Sequence, residues 1–479
     1  MGYKQGIDKS QMALLPPSLE EYVPADHICR LIIAITEQLD LVKLGYKYAE
    51  CKETGSPPYD PRMMLNLYIY GYLHRVRSSR CLRDEARRNV EVMWLMDGLR
   101  PDDKTISNFR KDNRKVLKET FKDFREMWKS LGLYGGELVA TDSVKIRASN
   151  SLNNNHTEAG VKKVLERTDK KIDEYLEALD QADNEEENKK EPNSNEIKAA
   201  IEKLKERKAT YEALQEQIAL EGEISTVDPD ARLMCSGGDG RKFDVSYNVQ
   251  TVVDSKHKLI VDFEVTNCAS DGGTLSGMSE RAKTALGVET LTNLADKGYY
   301  SGEDIIKCEQ NGITCLIAKK KPSGEKKPDG FNHADFIYDR ERDVIICPCQ
   351  QELHPKRKKN RSGGRKYRVY INMAACSICQ KKLLCTKSEY REISRLVGQD
   401  ILDQVDDRTR ANKALYRKRQ EIVEHPFGTI KAIWGYKQFL CRTLPKVNTE
   451  MALTYTAYNL RRIFNIFAEN GVKIATAFG

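Results

Sequence analysis

Between residues 243 and 317 the hydrophobic period of the chain switches repeatedly, and this constrains the fold more than any other feature of the 479-residue sequence. Phe243-Asp-Val-Ser-Tyr-Asn-Val-Gln-Thr-Val-Val-Asp reads as a strand, Ser255-Lys256 as a turn, and Lys258-Leu-Ile-Val-Asp-Phe-Glu-Val-Thr as the returning strand, so a β-hairpin is expected. A helix from about Thr274 to Leu286 follows, then a short strand from Glu289 to Ala295 that ends in Asp296-Lys-Gly-Tyr-Tyr. A helix near Ser301 to Gln310 leads to the strand Ile313-Thr-Cys-Leu-Ile-Ala. An earlier strand, Glu137-Leu-Val-Ala-Thr-Asp-Ser-Val-Lys-Ile, follows the breaker Gly135-Gly136. A hairpin combined with strands that alternate with helices implies a mixed sheet with helices on its faces, an α/β architecture.

Other segments have different patterns. From Leu15 to about Leu131 apolar residues recur at three and four, with Pro61 in a first turn, Ser79 as a cap and Asp102 or Asp103 ahead of Thr105-Ile-Ser-Asn-Phe-Arg. Residues 1–131 are therefore expected to form an all-helical N-terminal domain. Its arginines (Arg75, Arg77, Arg80, Arg83, Arg87, Arg88) either face phosphates or form a solvated helix face. Residues 161–222 hold 12 basic and 17 acidic residues, which excludes a polyanion-binding tail and fits a helical-hairpin insertion of coiled-coil character. Residues 336–400 read as a loop-rich, basic, cysteine-rich insertion. The sheet-forming segments are then 132–160, 223–335 and 401–479, the last with helices from about Arg408 and from Thr449 to about Phe467.

The net charge of +8 favours a polyanionic partner without requiring one. No run of eighteen apolar residues occurs, so no membrane span and a cytoplasmic location are expected. Thirteen cysteines, an odd number, argue for thiols or a metal site over a disulfide framework.

Strand alternation places Asp142 on one face with Leu138, Ala140, Val144 and Ile146. A carboxylate on an apolar face is satisfied by local donors such as Ser143 or Lys145, or it holds a cation. Asp296 sits where a strand runs out, at the edge where open α/β sheets place functional groups, or else caps a turn. The third candidate is Glu424 in Glu421-Ile-Val-Glu-His-Pro-Phe-Gly-Thr-Ile-Lys431. Proline in a helix interior costs about 3 kcal/mol and glycine about 1 kcal/mol, so a kink or restart is expected there. That kink would aim Glu424 at the sheet edge, with Phe427 packing beneath and Gly428 permitting close approach of sheet or a polyanion; His425 either touches the polyanion or packs. Three such acids make a hard-oxygen site suited to Mg²⁺. Asp244, Asp254 and Asp262 on the hairpin are rivals, more in keeping with solvated positions.

Val139-Ala-Thr-Asp142-Ser, Asn293-Leu-Ala-Asp296-Lys-Gly-Tyr-Tyr and Val423-Glu424-His-Pro-Phe-Gly-Thr-Ile-Lys431 resemble the three blocks of the DDE transposases of bacterial insertion sequences. The segment from Pro58-Tyr-Asp-Pro to Pro101-Asp-Asp-Lys-Thr-Ile-Ser-Asn-Phe-Arg is similar to the helical domain of one branch of that group. The resemblance implies an RNase H-like catalytic domain in which Asp142, Asp296 and Glu424 hold Mg²⁺ (or Mn²⁺). It also implies DNA cleavage at terminal inverted repeats, strand transfer into target DNA, and a homodimer in the DNA complex. A catalytically inactive DNA-binding protein of the same descent is the alternative. Related families carry a Tyr, Arg, Glu, Lys signature on the helix that bears the glutamate. Glu424 and Lys431 keep its six-residue gap and Tyr416 and Arg419 keep theirs, but four residues rather than three separate Arg419 from Glu424, which turns Arg419 about 100° from the pattern, with Arg417 as a substitute.

Cys347-Pro-Cys349 precedes and Cys376-Ser-Ile-Cys379-Gln-Lys-Lys-Leu-Leu-Cys385 follows a stretch, residues 352–370, with eight Lys/Arg against one Glu. The Cys-x₂-Cys spacing fits structural Zn²⁺ on Cys347, Cys376, Cys379 and Cys385, with the choice between Cys347 and Cys349 open; free thiols are the other reading, as is a zinc-dependent binding module for the whole chain. The basic stretch (among it Lys358 and Arg365, interleaved with Tyr367 and Tyr370) suits phosphate contacts and base stacking, or is a solvated loop. Cys29, Cys81 and Cys268 are expected to pack in apolar surroundings.

Overall fold

The computed structural model describes residues 18–50, 57–184, 194–235, 242–319, 330–360 and 366–478; for residues 179–184, 194–196, 221 and 357–360 it describes the backbone alone. The chain forms two compact units, one of residues 1–136, 142–270 and 421–479, the other of 137–141 and 271–420. The strand Leu138–Arg147 (β1) contributes to both.

In the first unit the helix Pro61–Leu73 starts as its sequence implies: Pro61 occupies the first turn and Asp60 accepts from the Arg62 N–H at 2.7 Å. Asp102 likewise caps the helix Asp103–Asp112, accepting from the Thr105 N–H at 2.6 Å. Ser79 is instead the first residue of its helix, behind Ser78. The strands Arg232–Cys235 (β2), Phe243–Asp254 (β3) and Ile260–Thr266 (β4) are antiparallel, with Arg232 opposite Ser246 and Asn248 opposite Thr266. From Val245 to Asp254 every residue of β3 is buried, because both of its faces are covered.

The long helix Leu444–Glu469 packs on this hairpin. It begins five residues ahead of the expected Thr449, since Pro445 is tolerated in its first turn. Buried Asn459 completes the edge of β4, accepting from the Ile260 N–H at 2.8 Å and donating to the Ile260 carbonyl at 2.9 Å. Phe263 stands edge-on to both Phe121 of the helix Arg114–Ser130 and Tyr455, with centroids 5.2 and 5.1 Å away. The helices before residue 131 thus share their core with the hairpin and the Leu444–Glu469 helix. Asp254, expected to be solvated, is fully buried, and its carboxylate accepts from the N–H groups of Gly135, Gly136 and Lys256 at 2.9 to 3.1 Å. Asp244 pairs with Arg147 at 3.7 Å and Asp262 is buried.

The helices Glu158–Asn184 and Ser194–Glu221 lie along each other, with Lys208 Nζ 2.7 Å from Asp169. Short antiparallel strands, Asn155–Thr157 and Glu223–Ser225, close their base. Among the described residues no helix is long and apolar enough to cross a membrane.

In the second unit the opening residues of β1 pair in parallel with Leu291–Ala295 (β5), which pairs in parallel with Ile313–Ile317 (β6). The helices Leu275–Leu286 and Gly302–Gln310 cover these strands, tied together by buried Asp304, which accepts from the Leu275 and Ser276 N–H groups. The insertion, expected to be loop-rich, is a five-stranded antiparallel meander: Ile337–Asp339, Val344–Ile346, Glu352–Asn360, Lys366–Ile371 and Ile393–Leu396. Lysine, arginine, histidine and proline hid these strands, because they depress strand propensity while leaving the backbone free to pair. The helices Gln399–Ala411 and Lys413–Phe427 follow, parted at Asn412.

Candidate active site

The parallel register of β1 and β5 runs from Leu138 beside Thr292 to Thr141 beside Ala295, and in each strand the next residue is an aspartate, Asp142 and Asp296. A buried polar clamp fixes this end of the register. The Asn293 amide donates to Thr141 Oγ1 at 2.8 Å and to Ser279 Oγ at 2.6 Å, and Ser279 in turn donates to the Leu275 carbonyl. All three side chains are buried. Such a network is worthwhile only when its members are satisfied. Replacing Asn293 with leucine should therefore destabilise the chain by about 1–3 kcal/mol, read by urea unfolding. An unchanged midpoint would show that the clamp carries no weight.

Asp142 is half-buried and accepts from the Ser143 N–H at 2.8 Å, one of the local donors foreseen for it. It does not stand on a simple apolar face: β1 is buried on both faces from Val139 to Thr141 and half-open from Asp142 to Lys145. Asp296 precedes a single 3₁₀ turn, Lys297–Tyr299. Two carboxylates border Gly298: a Cβ there would lie 3.4 Å from Asp271 Oδ2 and 3.9 Å from Asp296 Oδ2, both ordinary contacts. Asp271 was not singled out in the sequence; its only signal is Asp271-Gly272-Gly273 in the loop ahead of the helix Leu275–Leu286.

Arg419 Nη2 stands 3.6 Å from Asp296 Oδ1, with the arginine side chain 13% exposed. The extra residue before Glu424 therefore does not carry Arg419 away from Asp296. Tyr416, one turn earlier, lies beside Arg419 and the Ala318 backbone, and burial raises its pKa. Glu424 follows Arg419 by five residues on the same helix, about 7.5 Å further along the axis. It is exposed, and its carboxylate has no hydrogen bond or ion pair among the described residues.

The expected kink takes a different form. The helix runs through buried Pro426 to Phe427 and widens into a π-helix over Gly428–Ile433, with the Trp434 N–H reaching back five residues to the Thr429 carbonyl at 2.8 Å. Thr429 Oγ1 donates to the His425 carbonyl at 2.8 Å. Proline removes one donor without ending the helix, and the wider turn absorbs the misfit. A Cβ on Gly428 would meet nothing within 4 Å, so close approach of a sheet strand is not its role. Phe427 is half-buried.

Past the π turn Lys431 no longer lies two regular turns from Glu424. It is exposed, with Nζ 3.5 Å from the Lys145 carbonyl of β1. His425 Nδ1 is 2.7 Å from the Tyr458 hydroxyl, which donates to the Lys258 carbonyl, and burial lowers the histidine pKa; the packing role fits it. Arg365 lies outside the described residues, and the Lys358 side chain is not described. Of the N-terminal arginines, Arg77, Arg83 and Arg88 are hydrogen-bonded to acids and Arg80 lies 3.9 Å from Asp103. Arg75 and Arg87 are exposed without an ion pair among the described residues. Cys29 is buried as expected, whereas Cys81 and Cys268 are exposed.

Asp142, Asp296 and Glu424 are each half-buried or exposed, and each offers the hard carboxylate oxygens that suit a divalent cation. Two family models match the chain. A Transposase domain (DUF772) matches residues 17–112, and a Transposase DDE domain matches residues 222–460. Together they cover more than two thirds of the chain; Asp296 and Glu424 fall within the second match and Asp142 before it. No curated protein and no solved structure matches.

Proposed function

From the premise that the chain belongs to the DDE transposases of insertion sequences, we propose that Asp142, Asp296 and Glu424 form its catalytic site for DNA cleavage and strand transfer. The observation that carries this reading is the parallel register that runs out at Thr141 and Ala295, so that both strands continue into an aspartate. The ion pair of Asp296 with Arg419, on the helix that bears Glu424, supports it.

The three carboxylates would hold Mg²⁺ or Mn²⁺, and such ions activate an attacking oxygen and stabilise a leaving one at a phosphodiester. The half-open strand ends bind and orient the scissile phosphate. Water attacks the phosphorus, the bond to the 3′ oxygen breaks, and that oxygen leaves as a 3′-hydroxyl while the other end keeps the phosphate. In strand transfer the 3′-hydroxyl attacks a target phosphodiester, loses its proton, and frees a target 3′-hydroxyl. Arg419 holds the Asp296 carboxylate before DNA arrives, and exposed Lys431 contacts a phosphate as a point charge. Lys358 and Arg365 extend the phosphate contacts from the insertion. The helical N-terminal segment binds the terminal inverted repeats, and two protomers hold two ends together.

The test is incubation of the full chain with a DNA fragment bearing the element's own ends. Cleavage with Mg²⁺ or Mn²⁺, none with EDTA, and joined products in the presence of target DNA are expected. Metal-independent cutting would contradict the assignment.

A further inference from the structure

Five cysteines of the insertion, Cys347, Cys349, Cys376, Cys379 and Cys385, line one cavity of about 30 Å³, the size of a single ion or water molecule. They are thiols: the Cys349 and Cys379 sulfurs stand 3.8 Å apart, against about 2.05 Å in a disulfide. Cys347 and Cys385 pack on a small core of Phe336, Ile345, Leu353, Tyr370 and Ile393. So few buried side chains do not hold a segment of this length without a staple.

Two polar features border the same cavity. Cys347 opens a tight turn in which Gln350 adopts φ 59° and the Gln351 N–H donates to Cys347 Sγ at 3.4 Å. Arg391, another lining residue, has a buried Nε with no acceptor among the described residues. An uncoordinated thiol cavity leaves that donor unsatisfied; an anionic sulfur cluster would accept it.

We infer that the insertion carries one structural zinc ion on Cys347, Cys376, Cys379 and Cys385, with Cys349 lying outside the ligand set against Cys379. Binding converts the four thiols to thiolates, releases their protons to solvent, and draws the sulfurs to about 2.3 Å from the ion. The sulfurs close inward on binding, since among the described residues the only three ligand atoms within 4.8 Å of one another belong to His27, Cys29 and Glu91. That trio is already engaged: His27 Nδ1 accepts from the Cys29 N–H and Glu91 accepts from the Tyr70 hydroxyl. The zinc joins the Cys347 turn to the segment after Ile371 and so pins both ends of the basic hairpin Glu352–Ile371.

Elemental analysis of the full chain, purified under reducing conditions, is expected to find one zinc per chain. Cys376→Ser and Cys385→Ser should lower it at least tenfold, while Cys349→Ser leaves it unchanged. Chelator treatment should open proteolytic sites within residues 330–396 and spare the rest. If the variants do not stay soluble, thiol modification of the parent, followed with a colorimetric zinc indicator, should free one zinc as the cysteines react. A zinc-free parent, retention of zinc in Cys376→Ser, loss in Cys349→Ser, or the visible absorption of an iron–sulfur cluster would each overturn the assignment.

Discussion

Asp296→Asn should abolish cleavage at the element's ends, by roughly a thousand-fold or more, while leaving DNA binding within about twofold of the parent. The amide keeps the volume of the carboxylate and removes the charge on which a divalent cation depends. The fold should tolerate it. The Asp296 side chain is 41% exposed and its partner Arg419 stands 3.6 Å away, a geometry in which an ion pair contributes about 1 kcal/mol or less. Asp142→Asn and Glu424→Gln should behave alike. Gel-shift and cleavage assays on the same protein samples separate loss of chemistry from loss of binding. Metal-dependent cutting by Asp296→Asn at the parental rate would remove this residue from the site.

What could be read from the sequence was set by local signals. The strands β1 and β5 follow from local signals, the first from alternation after Gly135-Gly136 and the second from a short apolar run that gives out before Gly298, so Asp142 on the first and Asp296 beyond the second stand out; that their pairing stops at Thr141 and Ala295 was not legible, because it depends on register. Buried carboxylates are different, because their partners lie far away in the chain. Asp254 looks like a turn residue, yet its acceptor work is for Gly135 and Gly136, more than a hundred residues earlier. The Arg419–Asp296 pair joins a late helix to an early strand, and no spacing rule within one helix could reveal it. The stretch around Pro426 was legible as an irregularity and illegible as a π turn, since one missing donor is compatible with a break, a bend or a widened turn. The meander of residues 337–396 was missed because its strands are short or highly charged and are paired with one another rather than with a large core.

Glu450→Ala should cost about 3–5 kcal/mol of unfolding free energy, the largest stability loss expected from a single change in this chain. Glu450 is fully buried and accepts five hydrogen bonds from four donors: the Leu440 N–H at 3.1 Å to both oxygens, the Cys441 N–H at 2.8 Å, the Tyr436 hydroxyl at 2.9 Å, and Arg77 Nη1 at 3.3 Å. Counted by group these are four partners on one carboxylate. Burial and the carboxylate keep the Tyr436 phenol protonated and donating, and the Arg77 guanidinium lies 4.1 Å over the Tyr436 ring. Alanine would remove the acceptor of the two backbone N–H groups and of the Tyr436 hydroxyl, and leave the Arg77 guanidinium, 20% exposed, bonded to the Gln438 carbonyl at 3.1 Å but without its acid. Glu450→Gln keeps one acceptor but turns an amide donor toward backbone donors, so a smaller loss of about 1–3 kcal/mol is expected. The damage should centre on residues 436–441, which follow the π turn bearing Lys431 and pair with β1, the Arg147 N–H to the Lys437 carbonyl at 3.2 Å and the Phe439 N–H to the Arg147 carbonyl at 2.9 Å. Faster proteolysis there should accompany the shift in urea midpoint. Because Arg77 without Glu450 is a buried charge without its acid, Arg77→Leu combined with Glu450→Leu should cost less than the two single changes added together. Strict additivity, or a Glu450→Ala variant within about 1 kcal/mol of the parent, would mean that the network is not what holds this segment.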